Sequence, residues 1–257
     1  MADKINIKEY EQWLANKSSD FRNRKSYEQY YLSITSKIKN DFQETDIWKK
    51  FTSNMQNYND QYLLSMRYEL FSQVSIPELL IKPYASFIEK TYRKNVLDNS
   101  NWPESPKDGW LLPDNWLSGI NDIIRTLITV KYVDGVEYLI QILGNLSQVY
   151  GLGFEKNLEA RPEGYYAAHT NITYNFEIPK LNWDTEIIPI KIEIQITTQL
   201  QEIIRTLLHK YYEQRRMSSD NKQWQWDFES DEFSVNYLGH ILHYLEGTIV
   251  EIRKRQI

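Results

Sequence analysis

Between Glu186 and Arg216 the chain reads EIIPIKIEIQITTQLQEIIRTLLHKYYEQRR, and its apolar positions change period half-way. Ile188, Ile190, Ile192, Ile194 and Ile196 fall on one side of an extended segment, with Pro189, Lys191, Glu193, Gln195 and Thr197 on the other. That alternation predicts a strand with one buried face. From Leu200 the spacing becomes helical through Ile203, Ile204, Leu207, Leu208 and Tyr211, so the strand runs almost directly into a helix. The residues from Ile7 to about Leu70 contain no glycine and are rich in Tyr, Asn and Gln, which predicts two or three helices with modest apolar faces. YASFIEKTYRKN predicts another helix with Pro83 in its first turn, and the three prolines of NSNWPESPKDGWLLPDNW predict a long loop ordered by its tryptophans.

Next, INDIIRTLITVKYVDGVEYLIQILGNLSQVYG reads as a strand, a turn at Asp134 and Gly135, and an amphipathic helix ending near Gly151. GYYAAHTNITYNFEI alternates as a second strand, which the Asn-Trp-Asp after Leu181 turns toward the Glu186 strand as a hairpin. A last helix is expected to start near Ser234 and to run toward the basic EIRKRQI. No internal repeat is visible. The order of elements predicts an α+β fold, a mixed β-sheet flanked by helices. An N-terminal helical segment, residues 1–75, precedes a domain over 76–257 that includes the C-terminal helix.

Composition narrows the chemistry. The chain has 257 residues with 41% hydrophobic and 14% aromatic content, ample for a core. It has no apolar run near membrane-spanning length and no charged-then-apolar leader, so a cytoplasmic location is expected. With no cysteine, thiolate catalysis and cysteine-ligated metals are excluded, and any metal must take oxygen or histidine ligands. The four histidines, His169, His209, His240 and His243, are all found from residue 169 onward, which rules out an N-terminal histidine-based metal hydrolase. A net charge of −5 disfavours a protein that coats nucleic acid.

No glycine pattern makes a P-loop, and no G-x-S-x-G is present, so bound phosphates would need side chains. Lys82, Ser86, Lys90 and Lys94 recur every four residues, with Arg93 on the same side of the helix and Tyr84, Phe87, Ile88 and Thr91 opposite. This is a basic ridge on an anchored helix, a pattern that solvated surface helices also produce. Asp122 opens one predicted strand and Glu193 sits inside another. Two carboxylates on neighbouring strands can hold one Mg²⁺ that bridges to substrate phosphates. His240 and His243, three residues apart without an accompanying carboxylate, read as partly buried helix residues.

Four blocks in order resemble the synthetase domain of the RelA/SpoT family, the alarmone synthetases. KPYASFIEK is similar to K-x3-S-x3-K, the Asp122 strand to D-x-x-G-x-R, GYYAAH to G-Y-R-x-x-H, and IEIQITT to E-x-Q-I-R-T. The last helix resembles that of the small single-domain members. The likeness covers about Ile76 to the C-terminus and implies a nucleotidyltransferase-like synthetase domain. It implies ATP-phosphate contacts from Lys82, Ser86 and Lys90, with Arg93 beside them, and Mg²⁺ on Asp122 and Glu193. It further implies that Tyr165 stacks on the acceptor base, that His169 and Gln195 line the site, and that Glu193 serves as metal ligand or base. Four motif positions depart from the pattern: Leu80 two residues before Lys82, Arg125 with Leu127 after Asp122, Tyr166 in the G-Y-R block, and Thr197.

The activity implied first is a Mg²⁺-dependent pyrophosphokinase moving the β,γ-diphosphate of ATP to the 3′-hydroxyl of a guanine nucleotide, GDP or GTP. The alternative is a toxic relative acting on the 3′ end of uncharged tRNA and restrained by an antitoxin protein. Its basic surface would be Arg205, Lys210, Arg215, Arg216, Arg253, Lys254 and Arg255. A third reading is a non-catalytic nucleotide-binding or interaction protein of the same fold. Partners are therefore nucleotides or tRNA, an antitoxin or further copies of the chain, and no membrane.

Overall fold

A capping box starts the first helix. In the computed structural model, which describes residues 4–180, 184–207 and 224–256, the Asn6 side chain accepts from the Lys8 and Glu9 amides. The Glu9 carboxylate in turn accepts from the Asn6 amide, opening α1 (Ile7–Lys17). Then come α2 (Arg24–Glu44), α3 (Asp46–Ser53) and α4 (Met55–Met66). The predicted two or three helices are thus four, because the breaks at Thr45 and Asn54 carry neither glycine nor proline to announce them.

The remaining helices are α5 (Tyr84–Tyr92), α6 (Trp116–Gly119), α7 (Val133–Val149), α8 (described over 199–207) and α9 (Asp231–Lys254). The strands are β1 (Leu80–Ile81), β2 (Ile124–Val130), β3 (Gly153–Ala160), β4 (Tyr166–Pro179) and β5 (Thr185–Thr198). They form one mixed sheet in the order β1-β2-β5-β4-β3, with β1 antiparallel to β2 and Leu80 opposite Arg125. The α+β expectation holds.

Two compact units divide the chain. One comprises residues 1–45, 79–125 and 173–193, the other 46–78, 126–172 and 194–257, so the backbone passes from one to the other within β2, β4 and β5.

In the first unit the apolar face of α5 buries Tyr84, Phe87, Ile88 and Thr91, as the sequence spacing required. Phe87 meets Tyr31 of α2 at 4.5 Å and Trp116 edge-on at 4.8 Å between ring centroids. Pro83 sits at the N-cap, one residue earlier than expected. The proline-rich loop is ordered by tryptophans, with Trp13, Trp102 and Trp110 in mutual contact. Asn95 supports it from below, accepting from the Leu111 amide at 3.0 Å and donating to the Leu111 carbonyl and the Tyr10 hydroxyl at 2.8 Å each.

In the second unit, Asp134 and Gly135 lie inside the first turn of α7 and form no turn of their own. Asp-Gly ordinarily signals a turn, but here the glycine admits a neighbour. A Cβ at Gly135 would stand 2.8 Å from Leu70 Cδ1 and 3.2 Å from Val130 Cβ. Buried Arg253 of α9 lies 3.9 Å from the Tyr68 ring centroid and 4.0 Å from that of Tyr132, with Asp134 Oδ1 at 3.5 Å. Helix α9 starts at Asp231, three residues before the predicted Ser234, because the Ser230 hydroxyl caps the Phe233 amide.

The isoleucine face of β5 is as predicted from Ile190 onward, with Ile190, Ile192, Ile194 and Ile196 fully buried and Ile188 half-buried. The second face is not solvated as expected: Glu193 is 7% exposed and Thr197 2%. β5 is the middle strand of the sheet, and near its C-terminal end both faces are covered. The Asn-Trp turn residues 182 and 183 lie outside the described residues. Among the described residues no helix is long and apolar enough to cross a membrane.

Candidate functional site

The first unit concentrates charge around one carboxylate. Asp122 lies two residues before β2, Lys82 directly after β1, and Lys90 two turns along α5. The antiparallel pairing of β1 with β2 fixes Lys82, whose amide donates to the Ile123 carbonyl at 2.8 Å while its own carbonyl accepts from the Tyr31 hydroxyl at 2.7 Å. Lys82 Nζ then reaches Asp122 Oδ2 at 2.9 Å, and Lys90 Nζ reaches Oδ1 at 2.8 Å. Each carboxylate oxygen is held by a separate ammonium. Burial alone would raise the Asp122 carboxyl, but Lys90 and Lys82 outweigh it and hold the group well below the ordinary carboxylate range. Burial lowers the Lys82 ammonium in turn, against the opposing pull of Asp122.

Of the other predicted phosphate contacts, Ser86 and Arg93 are half-buried, Ser86 on α5 and Arg93 in the single π-turn that prolongs it. Glu193 is buried on β5, the strand next to β2, whereas Asp122 does not open β2 as expected but lies in the turn two residues before it.

The second unit holds the remaining predicted residues. Tyr165 Oη and His169 Nε2 are hydrogen-bonded at 3.0 Å. The Arg161 guanidinium lies 5.3 Å from the Tyr165 ring centroid and is itself paired with Glu159, Nε to Oε2 at 2.7 Å. Gln195 is half-buried on β5. Sequence reasoning did not pick out Glu159, which is three positions short of the Pro162 to Gly164 turn and lies on the unpredicted strand β3. Of the basic residues in the 205–216 segment, Lys210, Arg215 and Arg216 lie outside the described residues, as does His209.

No family model and no curated protein matches the chain by sequence. Solved structures do match. The small alarmone synthetase 1 from Bacillus subtilis superimposes with a TM-score of 0.50 at 15% identity, covering 82% of this chain and 98% of that chain. The same enzyme bound to its product pppGpp gives 0.52 at 16%, covering 80% and 91%. The small alarmone synthetase 2 from Bacillus subtilis gives 0.50 at 17%, covering 81% and 96%. The chain has the fold of the small alarmone synthetases.

Against this synthetase fold three of the four departures find a structural setting. Leu80 is an exposed position of β1 opposite Arg125. Thr197 is buried and donates its hydroxyl to the Tyr166 carbonyl at 3.1 Å. Tyr166 turns to α9, where it contacts His240 and His243. Nothing in the structure explains Leu127.

The donor set suits Mg²⁺ rather than a softer metal. An ionised Asp122 and a buried Glu193 are hard oxygen donors, and Mg²⁺ is commonly held by one or two carboxylates together with substrate phosphates. The two ammonium groups on Asp122 also mark it as a carboxylate that the fold surrounds with positive charge. Among the described residues no group of three or more His, Asp or Glu side chains forms a self-sufficient metal cage.

Proposed function

We propose that this protein is a Mg²⁺-dependent pyrophosphokinase that transfers the β,γ-diphosphate of ATP to the 3′-hydroxyl of a guanine nucleotide. The observation that carries this reading is the pair of lysines closed on Asp122, in a chain with the small alarmone synthetase fold. One of those neighbours was solved with pppGpp, a guanine nucleotide bearing the product linkage.

In this reading Lys82 and Lys90 bind the triphosphate of ATP, and Ser86 and Arg93 support them from the same helical segment. With phosphate oxygens on the two ammonium groups, Asp122 and Glu193 would be left to hold Mg²⁺, which would supply charge neutralisation for the transferred group. Tyr165 stacks on the acceptor base, its ring oriented by the hydrogen bond to His169 and backed by Arg161. Glu193, buried and acceptor-only when ionised, takes the 3′-hydroxyl proton as that oxygen attacks the β-phosphorus and the bond to the α-phosphate oxygen breaks. AMP leaves. Gln195, two positions along the same face of β5, lines the acceptor side.

The test is a transfer assay with ATP labelled in its β-phosphate, offered GDP, GTP, adenine nucleotides and uncharged tRNA in parallel. Label on GDP or GTP supports the proposal. Label on tRNA alone overturns it in favour of a tRNA-modifying relative, and no transfer to any acceptor, with the protein folded, leaves a binding protein.

A further inference from the structure

Tyr165 and Tyr166 are adjacent, yet they serve different surroundings. Extended backbone sends successive side chains to opposite sides, and Tyr165 meets His169 and Arg161 while Tyr166 meets α9. The Tyr166 ring stacks on His243 with centroids 3.7 Å apart and planes inclined by 6°. Its hydroxyl is hydrogen-bonded to His240 Nδ1 at 2.8 Å, and His240 Nε2 bonds the Pro162 carbonyl at 2.8 Å. A carbonyl only accepts, so Nε2 carries a proton in its bond to Pro162. His240 therefore ties both ends of the 162–166 turn to one helix.

Two glycines make that contact close. Gly164 has φ +78°, a left-handed conformation that suits glycine, and a Cβ there would stand 2.3 Å from the Asn236 carbonyl oxygen. Conversely, a Cβ on Gly239 would stand 2.4 Å from the Gly164 carbonyl oxygen. Both clashes are with backbone, which has no flexible end to move aside. Burial, and then the nearby His240, keep the His243 imidazole below its ordinary value, so it stacks as a neutral ring at pH 7.

We infer that Gly239, His240 and His243 of α9 are positioning residues for acceptor recognition, holding the 161–166 turn so that Tyr165 faces Arg161 as a preset platform for the guanine base. The inference rests on the function proposed above. It also gives Tyr166 a role: at the position where the synthetase motif has an arginine, this chain has an anchor that grips a helix 74 residues further along.

Two measurements test it, one needing no activity. The first is titration of guanine nucleotide and of a non-hydrolysable ATP analogue, with KM for each substrate, in wild type, His243→Ala, His243→Phe and Tyr166→Phe. His243→Ala is expected to weaken the guanine nucleotide about tenfold, toward the low end of what one base-stacking platform is worth because the platform is loosened and not removed, with ATP affinity unchanged. His243→Phe keeps a flat ring against Tyr166 and should restore the acceptor to within about twofold, which a role confined to overall stability would not predict.

The second is amide hydrogen exchange of the ligand-free protein. In Gly239→Ala and His243→Ala the 161–166 amides should exchange faster while β2 and β5 keep their protection. Equal weakening of both nucleotides, or unchanged acceptor affinity and exchange in every variant, overturns the inference alone. If wild type binds no guanine nucleotide while the exchange change is seen, the proposed function fails and takes the acceptor role with it. Tyr166→Phe, which removes only one hydroxyl, covers the case in which an alanine variant does not fold.

Discussion

Replacing Asp122 by Asn leaves the size and shape of the side chain and removes one charge from between two ammonium groups. The exposures of the three side chains are 15% for Asp122, 9% for Lys82 and 21% for Lys90, so little solvent is available to screen what remains. Breaking a buried pair by removing one partner costs about 3–5 kcal/mol. At about 2–4 °C per kcal/mol for a chain of this size, the melting temperature should fall by roughly 6–20 °C. The pH dependence carries a second signature. Asp122 is held below its ordinary value, so its contribution is present above the unfolded carboxylate value of about 3.9 and is lost as the pH falls below that toward the folded value. The stability gap between wild type and Asp122→Asn should thus be flat from pH 8 to about pH 5 and close only in stronger acid. Urea unfolding followed by circular dichroism at pH 8, 7, 6, 5 and 3.5 measures both. A gap smaller than about 1 kcal/mol at pH 7, or one that already closes at pH 6, would refute the buried double ion pair.

Two glycine substitutions should move stability in opposite directions. Gly135→Ala forces a Cβ against Leu70 and Val130 and should cost about 1–3 kcal/mol, whereas Gly247→Ala, in α9 with nothing within 4 Å, should gain about 0.5–1 kcal/mol. Equal thermal shifts of one sign would contradict the packing described. Asn95→Ala strands the half-buried Leu111 amide and loses three hydrogen bonds, so limited proteolysis should cut the 98–115 loop faster; unchanged cleavage would mean the tryptophan cluster suffices alone. For the proposed activity, Lys90→Ala should weaken ATP binding and leave guanine nucleotide binding near wild type, and Tyr165→Ala should do the reverse, both by isothermal titration; a variant that weakens both equally is structural.

Elements with strong periodicity were legible from the chain, and those set by distant neighbours were not. The isoleucines of β5 and the apolar side of α5 announce themselves because each repeats a single period over two or more turns or pleats. β3 does not, since GFEKNLEA carries charged residues on an edge strand whose positions are mostly exposed, the composition that discourages edge-to-edge pairing. The start of α9 was placed three residues late, at Ser234, although Ser230 followed by Asp231 and Glu232 offers a cap and an acidic first turn. The helical spacing of Lys82, Ser86 and Lys90 pointed to one face, but nothing local says that two of these cations close on Asp122, 40 and 32 residues away. Likewise the burial of Glu193 depends on strand order, which a hydropathy pattern does not contain.

The way the chain threads between its two units has a consequence for biosynthesis. The first unit begins with residues 1–45 and is completed only by 173–193, while the second needs the chain through α9. At a translation rate of roughly 5–20 residues per second, the N-terminal helices wait about 7–30 s for the strand segments that finish their unit. During that interval α2 presents Tyr27, Tyr31, Ile34, Ile38 and Phe42, which are buried in the finished unit, before all of its segments exist. A nascent chain stalled near residue 150 should therefore recruit chaperones and remain protease-sensitive throughout, and neither unit can be obtained by simply cutting the gene in two.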